Sequence, residues 1–269
     1  MTGAAGTCLV LGARGFVGSA VCRQARARGY RLIEVEADDY DRHAGAACDI
    51  LINANGNSRK YLAERDPKLD FDLSVRSVLR SLHDFKPALY VHLSTMDVYP
   101  EKADPALNTE SAPIEPERLS RYGFHKHLAE QAVRYYAGRW LIFRMAGFVG
   151  PGLWKNSIHD LLKGRPLRVH PDSQYQYLHT ADLARLVLDA AESGAEGEIF
   201  NAAGDGLVRL REVAAWIPGC RPVCEPADAP LERYELNIAK IKARAAVPRT
   251  ETTVREFVAA VLGGRETIR

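Results

Sequence analysis

The sequence predicts an α/β protein: a doubly wound parallel sheet with helices on its faces, followed by a smaller C-terminal lobe. Three observations carry this. The apolar run Thr7 to Leu11 breaks into glycines at 12, 15 and 18 and continues as an amphipathic stretch that stops at Gly29. Short β-branched runs then recur as RLIEVE, DILINA, ALYVHL and RWLIFRM, separated by segments of helical spacing. Finally, Gly147, Gly150, Pro151 and Gly152 mark a change of territory, beyond which elements are shorter and less regular. The expected division is a main domain over 1–150 and a smaller lobe over 151–269, interleaved with the first.

Bulk properties exclude several classes. With 36 Lys+Arg against 34 Asp+Glu, the net charge of +2 gives no reason to expect a nucleic-acid or membrane-surface partner. Cysteines 8, 22, 48, 220 and 224 form no framework and no metal-ligand pattern, so free thiols in a reducing compartment, no bound metal and a cytoplasmic location are expected. The N-terminal apolar run is interrupted by Gly12 and Arg14 and reads neither as a signal peptide nor as a membrane span.

Taken in order, Cys8 to Leu11 reads as a buried strand and Phe16 to Arg28 as a helix, with Gly29 as its left-handed stop. The loop between them, GARGFVG, lets the backbone turn tightly and approach a pyrophosphate, while free N–H groups at the helix start face the anion. Arg31 to Glu36 is an alternating strand, and Glu36 stands about 20 residues beyond the glycines, where a carboxylate can hold an adenosine ribose and repel a 2′-phosphate. Arg14 and Arg31, read as lying nearby, keep NADP open beside NAD. The segment 37–48 is short for a helix-strand-helix unit. Asp49 to Ala54 is a third strand ending in Asn55-Gly56-Asn57-Ser58, Leu69 to Phe85 has mostly helical spacing, and Ala88 to Leu93 is a further strand leading into Ser94 and Thr95. A proline-rich loop from Pro100 to Pro116 has the length of a functional cover. Helical spacing resumes at Ser120, with His125 and His127 expected to be exposed, and Arg139 to Met145 is another strand. In the last part, helices are expected over 156–162, 181–192, 210–217 and 253–262, an extended stretch over 166–171 and a strand over 198–201.

Tyr122 and Lys126 share one helical face. A phenol serves as a base at neutral pH only if its phenolate is stabilised, and an ammonium one turn away does so. Thr95, at a strand end, adds a hydroxyl that can hold a carbonyl or alkoxide oxygen while the phenol exchanges its proton. The glycine loop, Glu36, Thr95, Tyr122 and Lys126 occur in the order such a fold requires.

These residues resemble the extended short-chain dehydrogenase/reductases, the NAD-dependent epimerase/dehydratase family, which is Rossmann-type. GARGFVG is similar to its G-x-x-G-x-x-G, LSTMDVYP to its S-[ST]-x-x-V-Y, YGFHK to Y-x-x-x-K, LIFRMAGFVGPG to its L-R-x-x-N-V-Y-G-P-G, and YLHTADLA and GEIFNAAG to two later segments. The resemblance implies Tyr122 as acid/base, Lys126 as its partner and Thr95 as the oxygen-positioning hydroxyl. It also implies a nucleotide-linked sugar as substrate and leaves a homodimer open. Two departures bear on the substrate: Gly147 replaces the asparagine after the strand, and Tyr175-Gln176-Tyr177 replaces an Arg-Asp-Phe. Glycine loop, strand ends and resemblance together give a cofactor-facing set of Gly12, Arg14, Gly15, Phe16, Val17, Gly18, Glu36, Asn53, Ala54, Asn55, Gly56, Ser94, Tyr122, Lys126 and Met145. Asp97, Asn156, Gln176 and Arg233 are candidates for the substrate. A 4-keto-sugar reductase or an epimerase is the favoured reading. The alternatives are a 4,6-dehydratase, for which Asp97 is the available acid, and a non-catalytic dinucleotide-binding redox sensor.

Overall fold

A computed structural model describes residues 6–269. Its strands are β1 Thr7–Leu11, β2 Arg31–Val35, β3 Ala47–Asn53, β4 Lys86–Thr95, β5 Trp140–Met145, β6 Gly147–Val149, β7 Gln174–Tyr175, β8 Tyr177–His179, β9 Glu198–Ala202, β10 Val208–Arg209 and β11 Arg233–Tyr234. The helices are α1 Gly18–Ala27, α2 Tyr40–His43, α3 Lys60–Arg65, α4 Pro67–Phe71, α5 Ser77–Asp84, α6 Arg121–Tyr136, α7 Ser157–Leu162, α8 Thr180–Glu192, α9 Leu210–Ala215, α10 Ala239–Lys242 and α11 Thr250–Leu262. Two compact units divide the chain. The first comprises the chain up to Pro100, Pro113–Met145 and Ala184–Phe200, and the second Glu101–Ala112, Ala146–Leu183 and Asn201–Arg269. No helix among the described residues is long and apolar enough to cross a membrane.

The main sheet has six strands in the order β2-β1-β3-β4-β5-β9, and the neighbours from β2 through β5 run parallel. This is the expected doubly wound α/β class. The chain steps from β1 outward to β2 and then returns past β1 to β3, so the order reverses between β1 and β3, the place where open α/β sheets hold ligands. Between β2 and β3 there is room only for α2, which explains why β2 remains the sheet edge. One face of the sheet is closed by α5 and α6: Leu9, Leu51, Tyr90 and Ile142 pack against Val78, Phe85, Ala129 and Val133.

Where expectation and structure differ, the reason is local. The stretch expected as one helix over 69–85 is α4, a π-helical turn at Asp72–Arg76, and α5. The wider turn changes the phase of the helix face. Leu69, Phe71 and Leu73 are consequently 42, 39 and 40% exposed, while Asp70, Ser74 and Ser81 are completely buried. The extended segment expected over 166–171 contributes only an isolated bridge at Leu167. The proline-rich loop is no loose cover in its 101–112 portion: Asn108, fully buried, donates to the Glu235 carbonyl at 2.7 Å and accepts from the Asn237 N–H at 2.8 Å. Asn201 donates to the carbonyls of Asn108 and Asn237, each at 2.8 Å.

Candidate active site

The glycine loop leaves β1 at Gly12, whose φ of 74° favours glycine. Its N–H donates to the Val35 carbonyl at 2.9 Å, and its own carbonyl accepts from Gly15 at 3.0 Å. A Cβ on Gly18 would lie 2.0 Å from that carbonyl oxygen, so α1 packs against the loop as only glycine allows. Helix α1 starts without a side-chain cap, with Phe16 and Val17 half-buried before it. In its first turn the N–H groups of Ser19 and Ala20 donate to the carbonyls of Gly15 and Val17, at 2.9 and 3.0 Å, so the glycine loop and the helix start form one continuous turn with the positive end of the helix dipole behind it.

Acidic side chains line the end of β2. Glu36 accepts the main-chain N–H of Arg14, and the Arg14 guanidinium donates to Asp38 at 2.7 Å. Arg31 is not beside this cluster. It pairs with Thr7 in the β1–β2 register and donates to the Thr7 hydroxyl at 3.0 Å, at the opposite end of the strand from the glycines, because the rise along a strand carries its first and last residues to opposite ends of the sheet. Its part in keeping NADP open therefore falls away.

The turn after β3 joins the loop to the helix bearing Tyr122 and Lys126. Asn53 is fully buried; its side chain donates to the Tyr90 hydroxyl at 2.7 Å and accepts from the Asn55 N–H at 3.0 Å, which shapes the turn. A Cβ on Gly12 would stand 3.2 Å from the Ala54 carbonyl and from Asn55 Cα, and one on Gly56 would stand 3.1 Å from Lys126 Nζ. One residue further on, the Asn57 carbonyl accepts the Tyr122 hydroxyl at 3.2 Å. Residues 54–57 thus touch the glycine loop on one side and both Tyr122 and Lys126 on the other.

Helix α6 begins at a Ser120 cap, whose hydroxyl accepts from Gly123 N–H at 3.2 Å. A Cβ on Gly123 would meet the Asp97 carbonyl at 2.1 Å, so the first turn of α6 lies directly on the residues following β4. There Thr95 donates to Asp97 Oδ2 at 3.0 Å and accepts the Asp97 N–H at 3.2 Å, while Lys60 holds Asp97 Oδ1 at 2.8 Å. Met145 sits beside Thr95 in the β4–β5 register. The Ser94 hydroxyl turns into the core and donates to Glu130 at 2.5 Å. Glu130 is in turn paired with Arg144 at 2.7 Å, and Arg144 donates to the Tyr99 hydroxyl at 2.9 Å.

Charge at the site follows burial. Burial pushes the Tyr122 phenol above its ordinary value, and the nearby charges of Asp97 and Asp70 push it the same way. Burial pulls the Lys126 ammonium down, opposed by Asp70, Glu130 and Asp97. Desolvation and the two carboxylates thus act on the phenol in the direction opposite to that expected of an ammonium one turn away. His125 is not exposed, as expected from sequence, but 8% exposed, its Nδ1 2.7 Å from Asp70; the polar face of α4 turns inward to meet it. The sequence assigns no role to Asn57 or Asp70 and places His125 in solvent. The one signal for Asp70 is that it and Ser74 stand four residues apart, on a single helical face.

The remaining candidates lie in the second unit. Asn156 has a φ of 111°, caps α7 by accepting from His159 N–H at 3.0 Å and donates to the Phe148 carbonyl at 2.8 Å. Gln176 is 3% exposed and spans the backbone of Leu236, accepting from its N–H at 2.6 Å and donating to its carbonyl at 3.3 Å. Arg233 is exposed and paired with Glu235 at 2.5 Å. Gly147 is explained by its partner across β6–β8: a Cβ there would lie 2.8 Å from the ring of the buried Tyr177.

Comparison with known proteins places this geometry in context. The model of the NAD dependent epimerase/dehydratase family matches residues 8–203. A UDP-glucose 4-epimerase from Thermotoga maritima, solved with UDP-glucose, aligns with a TM-score of 0.76 at 17% identity over 97% of this chain and 100% of its own. A UDP-glucose 4-epimerase from Thermus thermophilus in complex with NAD aligns at 0.74 and 20% identity over 96 and 99%. A dTDP-4-dehydrorhamnose reductase from Bacillus anthracis in complex with NADP aligns at 0.78 and 16% identity over 97 and 100%. At these identities the likeness is one of fold. No curated protein matches the sequence.

Proposed function

The chain belongs to the NAD dependent epimerase/dehydratase family, and from that premise we propose that it is an NAD(P)-dependent enzyme that reduces a keto group on a nucleotide-linked sugar. The single observation carrying the reading is the turn 54–57, which abuts the glycine loop on one side and Tyr122 and Lys126 on the other. The site fits a dinucleotide: the glycine cradle and uncapped helix start suit a pyrophosphate, and Glu36 suits a ribose. With Asp38 already holding Arg14, the acidic end of β2 favours NAD over NADP. When bound, the nicotinamide supplies or accepts the hydride. The chain's own residues then handle the oxygen. Thr95 orients it, Tyr122 moves a proton to or from it, and Lys126 steadies the charge that develops.

Reduction is preferred to epimerisation because of how Tyr122 is held. A carbonyl can accept but never donate, so the bond to Asn57 favours the protonated phenol, as do burial and the two carboxylates. A protonated phenol is the form that gives its proton to the alkoxide left by hydride arrival, whereas an epimerase must first remove one. Asp97, the acid that a dehydratase would use, is paired with Lys60 and accepts the Thr95 hydroxyl, a bond that Thr95 exchanges for the substrate oxygen when it binds.

The test is to incubate the protein with reduced cofactor and 4-keto or 4-hydroxy UDP- and dTDP-hexoses. Stoichiometric loss of reduced-cofactor absorbance with the keto sugars is expected, with NADH used in preference to NADPH. Interconversion of hydroxy epimers without net cofactor consumption would assign an epimerase instead. Tyr122→Phe should lower turnover by about 100-fold or more with cofactor affinity nearly unchanged; unaltered turnover would remove Tyr122 from the chemistry.

A further inference from the structure

Asp70 is a completely buried carboxylate in α4. A carboxyl group so placed needs hydrogen-bond partners, and both oxygens of Asp70 have them. Its Oδ1 accepts from Asn57 Nδ2 at 2.7 Å and from the Ser74 hydroxyl at 3.2 Å, and its Oδ2 faces His125 Nδ1 at 2.7 Å. The Asn57 side chain is tied further to the Arg59 backbone, accepting from its N–H at 2.7 Å and donating to its carbonyl at 2.9 Å. The His125 ring is fixed from two sides, edge-on to Phe71 at 5.5 Å and tilted against Phe124 at 6.0 Å. A continuous polar chain therefore runs from His125 through Asp70 to Asn57 and, by the Asn57 carbonyl, to the Tyr122 hydroxyl.

We propose that Asp70 and His125 are positioning residues for the Tyr122–Lys126 pair: Asp70 anchors the one turn that touches both side chains and sets the charge they feel, and His125 locks Asp70 in place. The inference rests on the reading of Tyr122 and Lys126 given above. Geometry and charge act together. The Asn57 carbonyl meets the phenol while Gly56 lies against the Lys126 ammonium, so a displacement of the turn is felt by both. Lys126 is faced by Asp70 from α4, by Glu130 from its own helix, by Asp97 after β4 and by His92 on β4. Among these carboxylates Asp70 is the largest influence holding the ammonium charged, and it also acts on Tyr122. Asp97 is neutralised in part by Lys60, and Glu130 by Arg144.

The experiment follows the Lys126 side chain by NMR of the protein labelled at lysine Cε, with Lys126→Arg to assign the resonance, so that no substrate is needed. Asp70→Asn keeps an acceptor for Asn57 but removes the charge. It is expected to lower the Lys126 titration midpoint by about one pH unit, a tenfold change in the ratio of ammonium to amine. His125→Asn, which retains a donor toward Asp70, should overlay the wild type, and His125→Phe, which does not, should displace the midpoint. A purely structural role would lower the melting temperature without moving the titration. An Asp70→Asn titration coincident with wild type overturns the proposal, and should that variant not fold, identical titrations for His125→Phe and His125→Asn do so. Failure of the functional reading is seen separately, as turnover that survives Tyr122→Phe.

Discussion

His92 is a residue whose cost to the fold can be separated from any role at the site. It is fully buried, with both ring nitrogens unpartnered. Burial, assisted by the Lys126 charge, pulls its pKa from 6.5 down to about 3. The sign follows directly: below pH 6.5 the unfolded chain takes up a proton that the folded chain refuses, so this residue leaves stability intact above 6.5 and removes it progressively as the pH falls toward 3. The slope is about 1.4 kcal/mol per pH unit for one proton. His92→Leu should therefore lose about 2 kcal/mol less than the wild type between pH ~8 and pH ~5, as measured by urea unfolding at each pH. The variant should be no less stable than wild type near pH ~8, because it removes two polar atoms that have no partner. Equal pH dependence in the two proteins would show that the ring is hydrated or paired when folded.

The glycine loop and the parallel strands were legible in the sequence because both signals are local: a turn needing positive φ sits beside an apolar run a few residues long. α4 and the π turn were not. There the sequence places Leu69, Phe71 and Leu73 on what proves to be the outer face, and the buried side carries Asp70 and Ser74 beside Val75. Hydrophobic periodicity cannot report a face whose burial is stabilised by hydrogen bonds. The elements also respond differently to the same change in side chain. Ala at Gly18 sets a methyl 2.0 Å from a backbone oxygen, which only a movement of α1 can relieve. A loss of about 1–3 kcal/mol is expected from such overpacking, together with at least a tenfold weaker cofactor affinity. Ala at Gly29 meets no atom within 4 Å but inherits a φ of 81°. It should cost about 1 kcal/mol of backbone strain and leave cofactor affinity unchanged. Denaturant unfolding and a fluorescence titration with NADH separate the two, and comparable affinity losses would show that the Gly18 effect is one of stability alone.

At the scale of the molecule, the chain passes between its two units more often than a boundary near residue 150 would require: 101–112 joins the second unit and 184–200 the first. For 101–112 the ties are invisible in sequence, because they lie in amides far apart along the chain. Asn108, Asn201 and Asn237 meet in one cluster, whose bonds also reach the carbonyls of Pro105 and Glu235. Asn201 also fixes the loop through its N–H, which donates to Glu110 at 2.8 Å. An asparagine in a proline-rich loop reads as an ordinary turn residue, and nothing in its neighbours announces a partner more than a hundred positions away. Asn108→Ala tests whether this cluster is what holds 101–112 in the second unit. The change deletes the donor to Glu235 and the acceptor for Asn237 and leaves two main-chain groups without partners, a loss of about 1–3 kcal/mol for each that remains buried. A destabilisation of about 2–4 kcal/mol is expected by denaturant unfolding, with proteolytic cleavage appearing within 101–112 under conditions where the wild type is resistant. Asn108→Asp keeps the acceptor but places a carboxylate against the Glu235 carbonyl. It should be at least as damaging as Ala near neutral pH, and wild-type resistance to cleavage in both variants would mean that the loop is held by its other contacts.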